Sequence, residues 1–203
     1  MTGSQFDDLL EGGAGDNALV GGAGTDTVSY EHATAGVTVS LALTTAQNTV
    51  GAGTDTLTGF ENLTGSAFND ALTGSGAANV LTGGGGNDLL NGGGGADTLD
   101  GGAGADRLTG GAGNDSFKFN FGEASGDVVT DVTGAGASVG DHLDFYGYGT
   151  LATGATLQQV GTTDFYKITP DAAHGGAAAA ETIEILNVFN LNTSAGSNDF
   201  ILH

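Results

Sequence analysis

Residues 83–119 read GGGGNDLLNGGGGADTLDGGAGADRLTGGAGNDSFKF. Glycine fills almost every second position, and an aspartate returns every nine residues, at Asp88, Asp97, Asp106 and Asp115. Two residues after each aspartate stands an apolar side chain: Leu90, Leu99, Leu108 and Phe117. A flexible glycine linker would explain the glycines but not two side-chain positions fixed at one period.

The same nonapeptide, G-G-x-G-x-D-x-U-x with U apolar, extends outward from this stretch. Six contiguous copies fill residues 65–118, three fill residues 3–29, and a tenth lies at 50–58. The eighth position is Leu10, Leu19, Val28, Leu57, Leu72, Leu81, Leu90, Leu99, Leu108 and Phe117. The sixth is Asp8, Asp26, Asp55, Asp70, Asp88, Asp97, Asp106 and Asp115, with Asn17 and Asn79 as exceptions.

Four glycines in six residues would each cost about 1 kcal/mol relative to alanine in a helix, so the unit is not helical. The D-x-U-x tetrad suits a short strand, whose alternate side chains face opposite sides. The G-G-x-G segment suits a turn, because glycine reaches positive φ without steric cost. If two units complete one coil, residues 18 apart stack at a strand spacing of about 4.8 Å. Asp70, Asp88 and Asp106 then share one edge, and Asn79, Asp97 and Asp115 the other. Carboxylates about 5 Å apart repel by roughly 3 kcal/mol at an effective dielectric near 20. One leucine-sized side chain per nine residues is a thin core to set against that, and a divalent cation between stacked acids reverses the sign of the interaction.

The composition agrees. The 203 residues hold 24 acidic and three basic side chains, Arg107, Lys118 and Lys167, for a net charge of −21. Nucleic acid and anionic membranes are therefore poor partners, and neither nucleic-acid binding nor membrane insertion is expected. There is no cysteine, hence no disulfide or thiolate site. No apolar run has the length of a membrane span, and the opening MTGSQFDDLLEGG lacks the basic and apolar regions of a cleaved signal peptide. The donors near the turns are hard oxygens, carboxylates and carbonyls, a set that suits calcium over zinc, copper or strictly octahedral magnesium.

These tandem nonapeptides resemble the RTX, or haemolysin-type, calcium-binding repeat. The resemblance implies an all-β fold, a right-handed parallel β-roll with calcium in its turns. It also implies a ligand set: carbonyls from the second and fourth positions of one loop with its aspartate, and from the first and third positions of the loop a coil later with its aspartate. One ion is then expected at Gly84, Gly86 and Asp88 with Gly101, Ala103 and Asp106. A second is expected at Gly93, Gly95 and Asp97 with Gly110, Ala112 and Asp115. Gly83, Gly85, Gly92 and Gly94 complete these two loops, and Asp70 with Asp88 and Asp8 with Asp26 are expected to hold two more ions. Asp55 and Asn79 occupy ligand positions too, and the whole array is expected to take roughly five to eight calcium ions. Asn17 and Asn79 remove a charge, while Ser66 and Phe68 replace loop glycines.

The period fails near residues 30–49, which resemble an insertion common in bacterial RTX proteins; alternation at Val37, Val39 and Leu41 predicts a strand in a wider coil, with Phe60 and Leu63 inward. The repeats define an expected domain over 1–118. Residues 119–203, with VVTDV, DHLDFYGY, TLQQVGTTDFYKIT and ETIEILNVF, predict a β-rich cap over the open edge of the solenoid. GDVVTDV and GDHLDF resemble the acidic pattern that follows RTX repeats in secreted proteases and lipases, which implies that Asp127 and Asp131 complete sites begun by Asp106 and Asp115. The terminal NDFILH resembles an uncleaved type I secretion signal, making that machinery an expected partner and the extracellular space the expected location.

Three functions compete. The first is a non-catalytic export module, disordered where calcium is scarce and folded outside, which stabilises or carries an upstream domain. The second is a structural or adhesive protein that self-assembles or binds glycans; epimerase modules of similar appearance bind acidic polysaccharide, but three basic residues disfavour that ligand. The third is part of an enzyme. Against it, His32, His142, His174 and His203 are scattered without an H-E-x-x-H motif, and the glycine-rich segment at Gly134 has the wrong spacing for a nucleotide loop.

Overall fold

Every eighth-position side chain of the ten repeats is buried, at 4% exposure or less, and this line of single apolar residues organises the molecule. The computed structural model describes residues 1–132, 140–148, 156–159, 165–170, 173, 180–185 and 200–202. Its described residues form strands and turns without an α-helix.

Two eight-stranded sheets face each other. In the first, strands Leu9–Leu10, Thr27–Ser29, Asn62–Thr64, Val80–Gly85, Thr98–Ala103, Ser116–Asn120, His142–Tyr146 and Phe200–Leu202 are parallel throughout. In the second, Thr38–Ser40, Ala71–Thr73, Leu89–Gly94, Arg107–Ala112, Val128–Val129 and Glu181–Ile185 are parallel, and Phe165–Thr169 and Thr156–Gln159 close the end antiparallel. Successive nonapeptides alternate between the sheets, so each coil returns after two of them. The register confirms it: Leu81 opposes Leu99 and Leu99 opposes Phe117 in the first sheet, while Leu72, Leu90 and Leu108 oppose one another in the second. This is a parallel β-roll.

The insertion behaves as a widened coil. Ala18–Val20 leaves the second sheet and pairs with Thr54–Thr58, which takes Gln47–Asn48 antiparallel on its other side. Thr38–Ser40 fills the vacated place, with Val39 opposite Leu72. Val37, Val39, Phe60 and Leu63 are buried as expected, and Leu41 is half-buried.

Past residue 118 both sheets continue, Leu143 and Val129 extend the apolar line, and aromatic rings are added beside it. Phe119 stacks on Phe145 at 5.2 Å, and Tyr148 meets the edge of Phe145 at 5.7 Å. Glu181 ties the turn after Asn120 to the second sheet, accepting N–H bonds from Gly122 and Ala124 at 2.8 Å each and the Tyr148 hydroxyl at 2.9 Å. The terminal NDFILH pairs through strand Phe200–Leu202 with His142–Tyr146, and its remaining residues lie outside the described ones.

Candidate metal centre

The sixth-position side chains turn back onto the backbone and form two ladders along the edges of the roll. On one, the N–H of Asp8 donates to Asp26 Oδ1 at 2.8 Å, Asn79 to Asp97 at 2.7 Å, Asp97 to Asp115 at 2.9 Å and Asp115 to Asp141 at 2.8 Å. On the other, Asp70 donates to Asp88 and Asp88 to Asp106 at 2.8 Å, and Asp106 to Asp127 at 2.9 Å. The expected one-coil stacking is thus present at Asp8 with Asp26, Asp70 with Asp88, Asp88 with Asp106 and Asp97 with Asp115. Asp55 takes no part in that run; it receives the N–H of Asn17 at 2.9 Å across the insertion.

Each ladder bond uses one carboxylate oxygen. The second, Oδ2 of Asp26, Asp88, Asp97, Asp106 and Asp115, is buried and accepts no hydrogen bond. A buried carboxylate oxygen left bare is costly, so these atoms call for a cation or a proton. A Cβ built on Gly83 would strike both Asp88 Oδ2 and the Gly101 carbonyl. One on Gly92 would strike Asp97 Oδ2 and lie 2.7 Å from the Gly110 carbonyl. A carboxylate oxygen and a carbonyl oxygen of the next coil therefore approach one another beside each of these first glycines. Hard-oxygen convergence of this kind fits calcium. Ala103 and Ala112 carbonyls accept N–H bonds from Gly86 at 2.9 Å and Gly95 at 2.8 Å, each keeping a second lone pair. The carbonyls of Gly84, Gly86, Gly93 and Gly95 point at the α-carbons of Gly102, Gly104, Gly111 and Gly113 a coil later.

Electrostatics record the same strain. Burial pushes the Asp88 carboxyl up to about 7, with Asp106 and Asp70 adding repulsion. Burial likewise takes Asp115 to about 6 and Asp127 to about 8, and raises Asp97 and Asp106. Without a cation these groups hold protons more tightly than free carboxyls do.

Other rungs are closed by the protein itself. In the loops 3–8, 65–70 and 74–79 the second residue is a serine, and its N–H caps the sixth-position side chain: Ser4 on Asp8 at 2.6 Å, Ser66 on Asp70 at 2.5 Å, Ser75 on Asn79 at 2.6 Å. Ser66 Oγ adds bonds to Asp70 Oδ1 at 2.9 Å and Oδ2 at 3.1 Å. Where the second residue is glycine it adopts positive φ, 108° at Gly84 and 97° at Gly93, and no such cap forms. Asn17 closes its rung differently. Its amide donates to the Gly13 and Gly15 carbonyls at 3.3 and 3.0 Å and to Asp55 Oδ1 at 3.1 Å, while the buried Tyr30 hydroxyl donates to Asp55 Oδ2 at 3.0 Å. Burial, reinforced by Asp55, keeps the Tyr30 phenol protonated.

Beyond the repeats Asp127 stacks on Asp106 as expected, but Asp131 does not stack on Asp115. Asp131 receives the N–H groups of Gly110 and Gly111 at 2.8 and 2.9 Å, and Asp141 takes the place on Asp115. The stacked partners are 18 residues apart in the repeats, 21 apart for Asp106 with Asp127 and 26 apart for Asp115 with Asp141, so Asp131 falls short of the edge position. Glu61 was also missed: its Oε2 accepts the N–H of Asp26 at 2.8 Å. Both share a readable signal, an acid two residues before a core side chain, in ENLT and DHLD. Among the described residues no three His, Cys, Asp or Glu side chains gather into one cluster; the rungs are carboxylate pairs, save those of Asn17 and Asn79, with carbonyls beside them. His32 is exposed and 2.9 Å from Glu11, and His142 lies 3.3 Å from Asp144. His174, His203 and the segment at Gly134 lie outside the described residues.

The family model for the RTX calcium-binding nonapeptide repeat matches in four copies, at residues 1–30, 56–90, 64–99 and 82–117. No curated protein matches the chain. Among solved structures, a subunit of the Azotobacter vinelandii mannuronan C5-epimerase is similar at 27% identity over 64% of this chain and 83% of that one, with a TM-score of 0.41. The extracellular lipase LipA of Serratia marcescens is similar at 19% identity over 99% of this chain, with a TM-score of 0.43; the chain spans 39% of the lipase. Residues 1–30 and 56–117, whose acids form the two ladders, carry RTX calcium-binding nonapeptide repeats.

Proposed function

We propose that the chain is a non-catalytic calcium-binding module that folds as the ion binds after type I secretion, outside the cell, and there stabilises or carries an upstream domain. The observation that carries this reading is the row of bare, buried Oδ2 atoms at Asp88, Asp97, Asp106 and Asp115. Ions are assigned to Asp88 with Asp106 (Gly84, Gly86, Gly101, Ala103) and to Asp97 with Asp115 (Gly93, Gly95, Gly110, Ala112). Asp106 with Asp127 and Asp115 with Asp141 continue the series. The serine-capped rungs at Asp8, Asp70 and Asn79 demand an ion less.

Calcium supplies positive charge between stacked acids; the chain's residues do the rest. Aspartate Oδ1 atoms lock each coil to the one before, and the glycine loops leave carbonyls free to face the ion. In a calcium-poor compartment the same acids repel, and single-leucine burial does not hold the coils shut. Calcium at the 10⁻⁴ to 10⁻³ M affinity typical of extracellular modules then couples export to folding.

The test is far-UV circular dichroism of the chain during calcium titration, with magnesium in parallel. Strand signal is expected to rise cooperatively with calcium only; a chain equally folded in chelator overturns the reading. A second reading, calcium-dependent assembly of copies, draws on Phe6 and Leu9, exposed at 67% and 71% beside the first strand. Sedimentation at saturating calcium separates the two, since a carrier module stays monomeric.

A further inference from the structure

Residues 59–64 break the nonapeptide pattern, yet they occupy a regular place in the ladder. Gly21 N–H donates to the Thr58 carbonyl at 2.9 Å, as Gly65 N–H does to that of Thr82 at 2.8 Å, so Gly59 stands where a repeat has its first glycine. Leu63 opposes Val28 and Leu81, which puts Glu61 in the sixth position. Between Gly59 and Glu61 there is one residue, Phe60, where a repeat has four. The loop is shortened, and glutamate's extra methylene extends the carboxylate's reach. Glu61 Oε2 accepts the Asp26 N–H at 2.8 Å, the bond that Asp106 Oδ1 makes with Asp88 at 2.8 Å.

Asp26 is fully buried and its Oδ2 accepts no hydrogen bond. A Cβ on Gly21 would lie 2.7 Å from that oxygen and collide with the Gly59 carbonyl. The two oxygens thus converge beside Gly21, as Asp88 Oδ2 and the Gly101 carbonyl converge beside Gly83. A bare, buried carboxylate oxygen facing a carbonyl, with a second carboxylate one coil away, describes a hard-cation site.

We propose that Asp26, Glu61 and the Gly59 carbonyl form a calcium site in which the shortened loop 59–61 takes the place of a nonapeptide turn, completed by carbonyls of the 21–26 loop. Through it the coils on either side of the insertion, which otherwise breaks the metal ladder, are tied by the same kind of ion that ties the repeats. The inference rests on the calcium reading above.

The experiment is isothermal titration with calcium of the full chain and of Glu61→Gln, each checked for fold by circular dichroism at saturating calcium. Glutamine still accepts the Asp26 N–H but removes the charge, so the variant is expected to bind one ion fewer per chain, or to bind it about tenfold more weakly. Unchanged stoichiometry and affinity overturn the proposal. If Glu61→Gln does not fold, Glu61→Asp keeps the charge and shortens the reach; it too is expected to lose one ion, and full binding by that variant overturns the site. A wild-type chain that binds no calcium sinks the general reading instead, so the two failures are distinct.

Discussion

The loops at 83–88 and 65–70 stack directly on one another, yet they leave their aspartates in opposite conditions. Asp88 has a buried oxygen without a partner. Asp70, equally buried, has both oxygens occupied, by the N–H of Val37 at 2.6 Å and by the N–H and hydroxyl of Ser66. The loops differ at three positions, with Ser66, Ala67 and Phe68 against Gly84, Gly85 and Gly86, and the second position is the one that touches the carboxylate. Gly84 at the second loop position takes a φ of 108°, which a serine adopts only at a cost, whereas Ser66 stays out of that region and turns its N–H onto the carboxylate. The second loop residue, more than the aspartate, sets how strongly a rung calls for a cation.

The largest expected effect separates open rungs from capped ones. Asp106→Asn removes a carboxylate shared by the rungs with Asp88 and Asp127, and is expected to cost about 3 kcal/mol at saturating calcium. Stability from urea denaturation should climb less steeply with the logarithm of calcium concentration, by one to two ions. Asp70→Asn orphans one N–H and should cost about 1 kcal/mol, with the calcium dependence intact. Equal loss of slope in both variants would dissolve the distinction.

An intermediate effect concerns protons, which compete for the same oxygens. Asp88, at about 7, and Asp127, at about 8, lie above the ordinary 3.8 because burial disfavours the charge. The metal-free fold therefore binds protons that the unfolded chain releases, so its stability is greatest below about pH 4 from these groups and is lost as pH rises through 7 to 8. In chelator, strand signal is expected to be stronger at pH 5 than at pH 8. At moderate calcium the order should reverse, because protons now displace the ion. Circular dichroism at the two pH values, with and without chelator, checks both signs.

How far this contrast was readable in the sequence follows from its physical range. The stacking of Leu72, Leu90 and Leu108 and of their aspartates followed from period nine, because a strand's alternation and a coil of two repeats are local rules. Ser66 stood out as a departure, but its consequence depended on the sign of one φ angle. Glu61 and Asp141 fell outside the repeat frame, since the frame was anchored on glycines while the ladder is anchored on the acid-x-apolar spacing that survives when a loop shortens or lengthens. Tyr30 gave no signal at all: its hydroxyl reaches Asp55 only because the widened coil folds back between them.

The smallest effect tests the rule at the second position directly. Ser66→Gly deletes the N–H cap geometry and the hydroxyl that together occupy Asp70, and allows the positive φ seen at Gly84. Asp70 Oδ2 would then face the Gly83 carbonyl, with which it already converges beside Gly65, and Asp88 lies one coil on. The rung acquires the features of its neighbour. Without calcium the variant is expected to lose about 1 kcal/mol, from the missing hydroxyl bonds and the freer glycine. With calcium it should recover that loss and bind one additional ion by isothermal titration. A variant that is weaker in both conditions and binds no extra ion would show that the loop's conformation is dictated by its neighbours in the stack, and that Ser66 merely accommodates it.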